Sequence, residues 1–255
     1  MKLPVTISQP FGPYVLETEC PPNIIDSLND YVENSLNDDR SKEEVCFSGG
    51  NIPNLLLRDF EVVFLKESLC EEIGLKKYVE TLGNYYVSKW IESNKHPGFE
   101  KVKLSIVDET ESVKDFKYSD KFIISDSWVN RYYSGDYTPL HEHGSDLAGI
   151  IFLKYPEEEL FKENSFNKES EGEDYQGDGR KNGQLQFIEG TINKFSCPEY
   201  VPESFVGKTL LFPSWLQHLV YPMKTNSERR TLSFNLIAED VYYERKEKLT
   251  KKGLI

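Results

Sequence analysis

Three of the four histidines in this 255-residue chain fall in patterns that suit a metal site. His141 and His143 stand in the segment PLHEHG, and His218 follows in GKTLLFPSWLQHLVYP. On a strand, alternate side chains share a face, so the first two imidazoles would project together. Three imidazoles suit a first-row transition metal and leave coordination positions open, whereas a structural site usually has four ligands. The pattern therefore predicts a catalytic metal site, and the fourth histidine, His96, is interpreted as incidental.

A second pattern, ERRTLSFN, begins about ten residues after His218. Strand periodicity puts four of its polar side chains on one face: Arg229, Thr231, Ser233 and Asn235. An inward polar face with an arginine is suited to a dicarboxylate, because a guanidinium grips a carboxylate in a two-pronged fork. Taken alone, however, the strand is more typical of a solvent-exposed face, since exposed charge is the common case.

A third pattern, WVNRYYSGDYTPLHEH, leads directly into the histidine pair. Trp128, Asn130 and Tyr132 share one face of this predicted strand. Asparagine and tyrosine side chains can hydrogen-bond a carboxylate. Gly135 suits the turn that separates this strand from the next.

The elements that must position these residues change character along the chain. Apolar spacing predicts a helix over about 23–37 and a second helical region over roughly 65–92. From residue 101 onward, short β-rich runs alternate with turn-like segments, which is typical of a sandwich or jelly roll. We therefore expect an α+β protein in which an N-terminal helical support region, 1–100, packs on a β core, 101–255.

One segment interrupts the β series. Residues 156–182 hold nine acidic and four basic side chains, a net charge of −5. Such a composition favours a solvated loop, and the alternative is a lid over the site, since long loops in compact domains are often functional.

The bulk composition excludes some partners. The net charge is −13 and no basic run stands out, so binding to duplex nucleic acid is not expected. The four cysteines are scattered without a CxxC pair, which favours reduced thiols in a cytoplasmic protein. No stretch reaches the roughly 20 apolar residues that span a bilayer, so we expect no membrane association. The oligomeric state is not indicated by the sequence.

Together these patterns resemble the 2-oxoglutarate/Fe(II)-dependent dioxygenase superfamily. NRYYSGDYTPLHEH is similar to the strand and metal turn of its DNA-dealkylating members, and prolyl-hydroxylase-like members share a related pattern. The fullest similarity is to an uncharacterised 2OG-Fe(II) oxygenase group with the patterns W-x-N, H-x-H, F-P-S-x-x-x-H and R-x-S-x-S-F-N. The resemblance covers about residues 122–240 and implies a double-stranded β-helix (jelly-roll) core with N-terminal supporting helices.

The resemblance also implies a role for each matching residue. His141, His143 and His218 would bind Fe(II). Residues that would contact the cosubstrate 2-oxoglutarate are Arg229, at its distal carboxylate, with Thr231 beside it, and Asn130, Tyr132 and Asn235. The implied reaction hydroxylates an unactivated C–H bond of a small-molecule or peptidyl substrate, releases succinate and CO2, and can use ascorbate as a reductant.

Two positions depart from the usual pattern. His143 stands where most members have Asp or Glu, and Asp146 is considered as a substitute ligand although its spacing does not suit the strand. Phe152 stands where some members have a tyrosine that binds the cosubstrate.

Two alternatives remain open at this stage. A cupin-type metalloprotein would also have a three-histidine site in a jelly roll, without using 2-oxoglutarate. A non-catalytic jelly-roll protein with a degenerate site would explain the missing acidic ligand.

Overall fold

Two antiparallel sheets form the centre of the computed structural model, which describes residues 6–8, 12–37, 62–93, 121–156, 182–191, 194, 198–224 and 227–239. The strands are β1 (Thr6–Ser8), β2 (Val15–Glu19), β3 (Val63–Phe64), β4 (Phe122–Tyr132), β5 (Thr138–His141), β6 (Leu147–Lys154), β7 (Leu185–Ile188), β8 (Glu199–Tyr200), β9 (Lys208–Pro213), β10 (Gln217–Val220) and β11 (Arg229–Ala238). The helices are α1 (Pro22–Asn37), α2 (Glu67–Glu72) and α3 (Leu75–Ser93). His96, Cys46, Cys197 and most of the predicted acidic insertion lie outside the described residues.

The larger sheet has seven strands in the order β1-β2-β9-β6-β11-β4-β3, and the smaller has four in the order β5-β10-β7-β8. Because side chains alternate along each strand, the larger sheet has two different apolar faces. On one face, residues such as Leu232 and Phe234 pack with Leu28 of α1 and Val79 of α3. On the other face, residues such as Phe152 and Phe212 pack with Phe187 of the smaller sheet. The fold is therefore the predicted α+β architecture with a double-stranded β-helix core.

The helices differ in how well the sequence predicts them. α1 occupies Pro22–Asn37, and its buried residues include Ile24, Leu28 and Val32, in agreement with the predicted helical spacing. The predicted single helical region over 65–92 is instead two helices, α2 and α3. The break falls at Gly74, whose φ of 79° is incompatible with a continuous right-handed helix.

The N-terminal part of the chain contributes more than helical support. β2 pairs with β9, and β3 pairs with β4, so the seven-stranded sheet includes strands from both sides of the predicted boundary at residue 100. The boundary itself stays a prediction. Within the described part of the chain, no helix combines the length and apolarity that a bilayer crossing requires.

Close packing between β6 and β11 depends on a glycine. Gly149 is the register partner of Phe234, whose ring covers the position where a side chain would begin. A Cβ atom at Gly149 would stand 2.1 Å from Cζ of that ring, far inside van der Waals contact. The glycine therefore leaves room for the outer end of the Phe234 ring, which fills the core under the helices.

Candidate metal centre and carboxylate pocket

The three predicted metal ligands come together at one edge of the smaller sheet. His141 on β5 and His218 on β10 are register partners, so their rings lie side by side with centroids 4.2 Å apart. His143 lies two residues beyond the end of β5. Its backbone N–H donates to the carbonyl of Ser214, 2.9 Å away, which ties this short segment to the turn between β9 and β10. His141 and His143 project together as predicted, with ring centroids 5.2 Å apart, but His143 lies beyond the strand and its placement depends on that turn.

The donor atoms of the three imidazoles all lie within 4.8 Å of one another. Nδ1 of His141 lies 2.8 Å from the Pro139 carbonyl, and Nδ1 of His218 lies 2.9 Å from the Leu216 carbonyl. A carbonyl can only accept, so each Nδ1 carries the proton and each Nε2 keeps its lone pair. Backbone groups that fix the tautomer in this way are typical of histidines that bind a metal.

Burial keeps these imidazoles neutral. It lowers the pKa of His141, and together with the nearby His141 it lowers the pKa of His143 to about 4. Burial, again with His141 as the next contribution, lowers the pKa of His218 well below its ordinary value. A neutral imidazole is the form that coordinates a metal, so all three side chains are competent ligands near pH 7.

Aromatic side chains surround the histidines and account for this desolvation. The ring of Phe212 lies 5.0 Å and that of Phe187 5.8 Å from the ring of His218. Trp128 lies 5.9 Å from His143, with Phe64 stacked obliquely behind it at 6.4 Å. The sequence patterns placed Trp128 on the correct strand face but did not predict its contact with His143.

Asp146 does not join the histidines. Its carboxylate accepts a hydrogen bond of 2.8 Å from the backbone N–H of Ala238, at the end of β11. In the described ranges, the group of side chains that could hold a metal contains the three histidines and no carboxylate. The alternative of Asp146 as substitute ligand is therefore not supported by the structure.

Arg229 is buried on the face of the larger sheet that looks toward the smaller one, with 1% of its surface exposed. Its guanidinium lies between two rings, 4.9 Å from the centroid of Tyr132 and 5.1 Å from that of Phe152. None of its three nitrogens makes a well-formed hydrogen bond within the described chain. Burial lowers the pKa of Arg229, an effect that Tyr132 and Tyr155 oppose, and an arginine keeps its proton in proteins. The solvent-face interpretation of this strand is therefore wrong for Arg229.

The other predicted cosubstrate residues lie along the same two strands. Thr231 is buried and is the register partner of Asn130, while Arg229 is the partner of Tyr132. The Tyr132 hydroxyl is 2.7 Å from that of Thr138, and the Asn130 amide donates to the Ser233 hydroxyl at 3.0 Å.

Asn235 lies at the opposite end of this polar row, six residues from Arg229, and its Oδ1 is buried without a hydrogen-bond partner among the described residues. Its contact with a cosubstrate stays a prediction.

Comparison with known proteins gives a consistent family resemblance. Residues 126–235 match the sequence model of a family described as "Putative 2OG-Fe(II) oxygenase". This range includes every predicted ligand and cosubstrate residue, so the resemblance inferred from the sequence is confirmed. No curated protein matches the chain.

Solved structures with a similar fold share little sequence with this chain. A viral collagen prolyl hydroxylase from Paramecium Bursaria Chlorella virus-1, in complex with 2OG, is 13% identical over 89% of this chain and 97% of its own, with a TM-score of 0.42. A prolyl-4-hydroxylase from Pseudomonas putida is 13% identical over 87% and 91% of the two chains, with a TM-score of 0.41. An oxidoreductase of the 2OG-Fe(II) oxygenase family from Burkholderia pseudomallei is 13% identical over 49% of this chain, with a TM-score of 0.33, and the match spans only 48% of that protein.

Proposed function

We propose that this chain, which resembles the 2OG-Fe(II) oxygenases over residues 126–235, is an Fe(II)- and 2-oxoglutarate-dependent dioxygenase that hydroxylates an unactivated C–H bond. The observation that carries the proposal is the buried guanidinium of Arg229, which makes no well-formed hydrogen bond among the described residues. It lies on a wall that also includes Trp128, the neighbour of His143. A buried cation without a partner costs several kcal/mol, and an anionic ligand removes that cost.

The donor set fits Fe(II). His141, His143 and His218 offer three neutral nitrogen ligands within a span of 4.8 Å, and imidazole is a common ligand for iron. When bound, the metal would supply the activation of O2 that organic side chains cannot perform. The aromatic side chains around the histidines would keep water away from that reaction.

The fit to 2-oxoglutarate rests on Arg229 and its surroundings. The guanidinium fork suits the distal carboxylate, and the buried Thr231 hydroxyl lies two residues along the same face. Phe152 cannot donate a hydrogen bond to the cosubstrate, but two tyrosines are close to the Arg229 guanidinium. Tyr132 and Tyr155 are therefore the candidates for the hydroxyl that Phe152 lacks.

The cupin-type alternative has one observation in its favour, which is that the third ligand is His143 rather than a carboxylate. Neither a metalloprotein that binds no dicarboxylate nor a non-catalytic protein accounts for a buried arginine that has no well-formed hydrogen bond within the described residues. Arg229 therefore favours the dioxygenase over both alternatives.

The finer assignments are also proposals. We propose a small-molecule or peptidyl substrate, ascorbate as a reductant, and a cytoplasmic location.

The test is formation of succinate from 2-oxoglutarate in the presence of Fe(II), ascorbate and O2. We expect activity in the wild type, loss of activity in His218→Ala, and about 10- to 100-fold weaker apparent 2-oxoglutarate affinity in Arg229→Lys, because lysine keeps the charge but loses the fork. Thr231→Val is the milder variant and should weaken affinity by less than Arg229→Lys. Wild-type protein that binds iron yet forms no succinate would favour the cupin-type alternative.

A further inference from the structure

One carboxylate, that of Glu228, ties together three adjacent strands of the larger sheet. It accepts from Arg131 of β4 at 2.6 Å, from Lys154 of β6 at 3.2 Å, and from Arg230 of β11 at 2.7 Å. Only 14% of the Glu228 side chain is exposed. These four residues are called the Glu228 cluster below.

The cluster continues into helix α1. Arg230 is completely buried, and its remaining donors reach Glu33 at 2.7 Å and Asn29 at 3.0 Å. Lys154 also reaches Glu33, at 2.8 Å. Arg230 therefore has a partner for every guanidinium nitrogen, whereas its neighbour Arg229, on the opposite face of the strand, has none among the described residues.

The same three strand segments carry the rings that enclose Arg229. Tyr132 follows Arg131 on β4, Phe152 precedes Lys154 by two residues on β6, and Arg229 itself stands between Glu228 and Arg230. The spacing of these three strand ends sets the gap between the two rings. The Glu228 cluster thus contains the residues next to Arg229 in the chain, although the Arg229 guanidinium lies on the other face of the sheet.

We propose that Glu228 is a positioning residue for the carboxylate pocket. It holds the ends of β4, β6 and β11 at a fixed spacing, so that Tyr132 and Phe152 keep the Arg229 fork aimed at its ligand before that ligand binds. This inference rests on the proposed function, because the ligand it concerns is 2-oxoglutarate. Preorganisation of this kind raises affinity, since less conformational freedom is lost on binding.

The variant that tests this is Glu228→Gln, which keeps the shape of the side chain and removes its charge. Glu17→Gln is the matched control, because Glu17 is also 14% exposed and pairs with Lys208 at 2.6 Å, an ion pair that includes no residue of the Glu228 cluster. Glu33→Gln removes only the outer partner and serves as a second variant if Glu228→Gln fails to fold. Affinities for Fe(II) and for 2-oxoglutarate are measured separately by anaerobic titration calorimetry.

We expect 2-oxoglutarate to bind about tenfold more weakly to Glu228→Gln, by analogy with the lower end of the affinity loss when a residue that orients a metal ligand is mutated. The loss should be smaller in Glu33→Gln and absent in Glu17→Gln, and Fe(II) affinity should be unchanged in all three. A folded Glu228→Gln variant with wild-type affinity for 2-oxoglutarate overturns the proposal, and so does an equal loss in Glu17→Gln.

A second readout separates this proposal from the proposed function. The Nε–H signals of 15N-arginine-labelled protein are recorded without ligand, and the Arg229 signal is assigned by its absence in Arg229→Lys. We expect that signal to shift or broaden in Glu228→Gln and to stay in place in Glu17→Gln. If the wild type binds no 2-oxoglutarate, the proposed function fails, and the Arg229 signal alone then supports or overturns the positioning role.

Discussion

Arg229 and Arg230 are neighbours with opposite environments, and replacing each by methionine should have opposite effects on stability. Both side chains are almost completely buried. Arg230 is paired with Glu228 and Glu33, whereas Arg229 has two aromatic rings and no hydrogen-bond partner among the described residues. Methionine keeps a long, flexible side chain in contact with those rings but carries no charge.

The magnitudes follow from these contacts. An unpaired buried cation costs several kcal/mol, and two desolvated cation–π contacts return about 2 kcal/mol each. We therefore expect Arg229→Met to leave the free energy of unfolding of the ligand-free protein unchanged or to raise it by up to about 3 kcal/mol. Arg230→Met removes charged hydrogen bonds to Glu228 and Glu33, but Glu228 keeps Arg131 and both carboxylates keep Lys154. It should therefore lower the free energy of unfolding by about 1.5–3 kcal/mol.

The same variants also test whether Arg229 binds 2-oxoglutarate, because a bound ligand stabilises the folded protein. At a 2-oxoglutarate concentration 100 times its dissociation constant, wild-type protein with metal should gain about 2.7 kcal/mol of stability. For a chain of this size that gain corresponds to a rise in Tm of about 5–10 °C, measured by calorimetry or circular dichroism. Arg229→Met should show almost none of that rise. An Arg229→Met variant that is strongly destabilised, yet still stabilised by 2-oxoglutarate to the wild-type extent, would refute the reasoning.

Three further predictions concern other parts of the molecule. Metal-free protein should lose stability as the pH falls from 6.5 toward 4, because burial lowers the folded-state pKa of His143 to about 4 while the unfolded chain takes up protons first. Denaturant titrations at several pH values in this range measure the free energy of unfolding, which should fall less steeply with pH in His143→Gln than in the wild type. Gly149→Ala should lower the free energy of unfolding by about 1–3 kcal/mol or more, because its Cβ would collide with the ring of Phe234. The control Gly144→Ala, whose Cβ would have no atom within 4 Å, should change it little. Equal melting curves for the two variants would contradict this prediction. Burial raises the pKa of Cys20 to about 12. This thiol should therefore resist a disulfide reagent at pH 8 until the protein unfolds. Rapid labelling of Cys20 in native protein would contradict its burial.

The sequence predicts the histidine cluster well because residue type alone marks its members: His141, His143 and His218 are three of only four histidines. That they bind a metal stays a prediction. The alternation of β11 also separates Arg229 from Arg230 correctly. It cannot show that both side chains are buried, because Arg230 contacts α1 and Arg229 lies between rings of β4 and β6, which are all far away in the chain.

Other features depend on distant contacts and have no local signal. The end of β5 at His141 is set by the bond from His143 to Ser214, about seventy residues later. The Glu228 cluster combines residues at or next to the ends of β4, β6 and β11, and α1 extends it through Asn29 and Glu33. In the sequence, Glu228 resembles an ordinary surface charge. The break at Gly74 did have a signal, since glycine commonly ends a helix, but the apolar spacing continued through it.

The central claim is that the three histidines and Arg229 form one site for Fe(II) and 2-oxoglutarate, and anaerobic titration with both tests it most directly. The weak visible charge-transfer band of the chelated metal is followed in the wild type, His218→Ala and Arg229→Met. We predict a saturable band in the wild type, no iron binding in His218→Ala, and retained iron binding with a much weaker band in Arg229→Met. Iron bound by the wild type without any band, or a band of wild-type strength and affinity in Arg229→Met, would contradict the account.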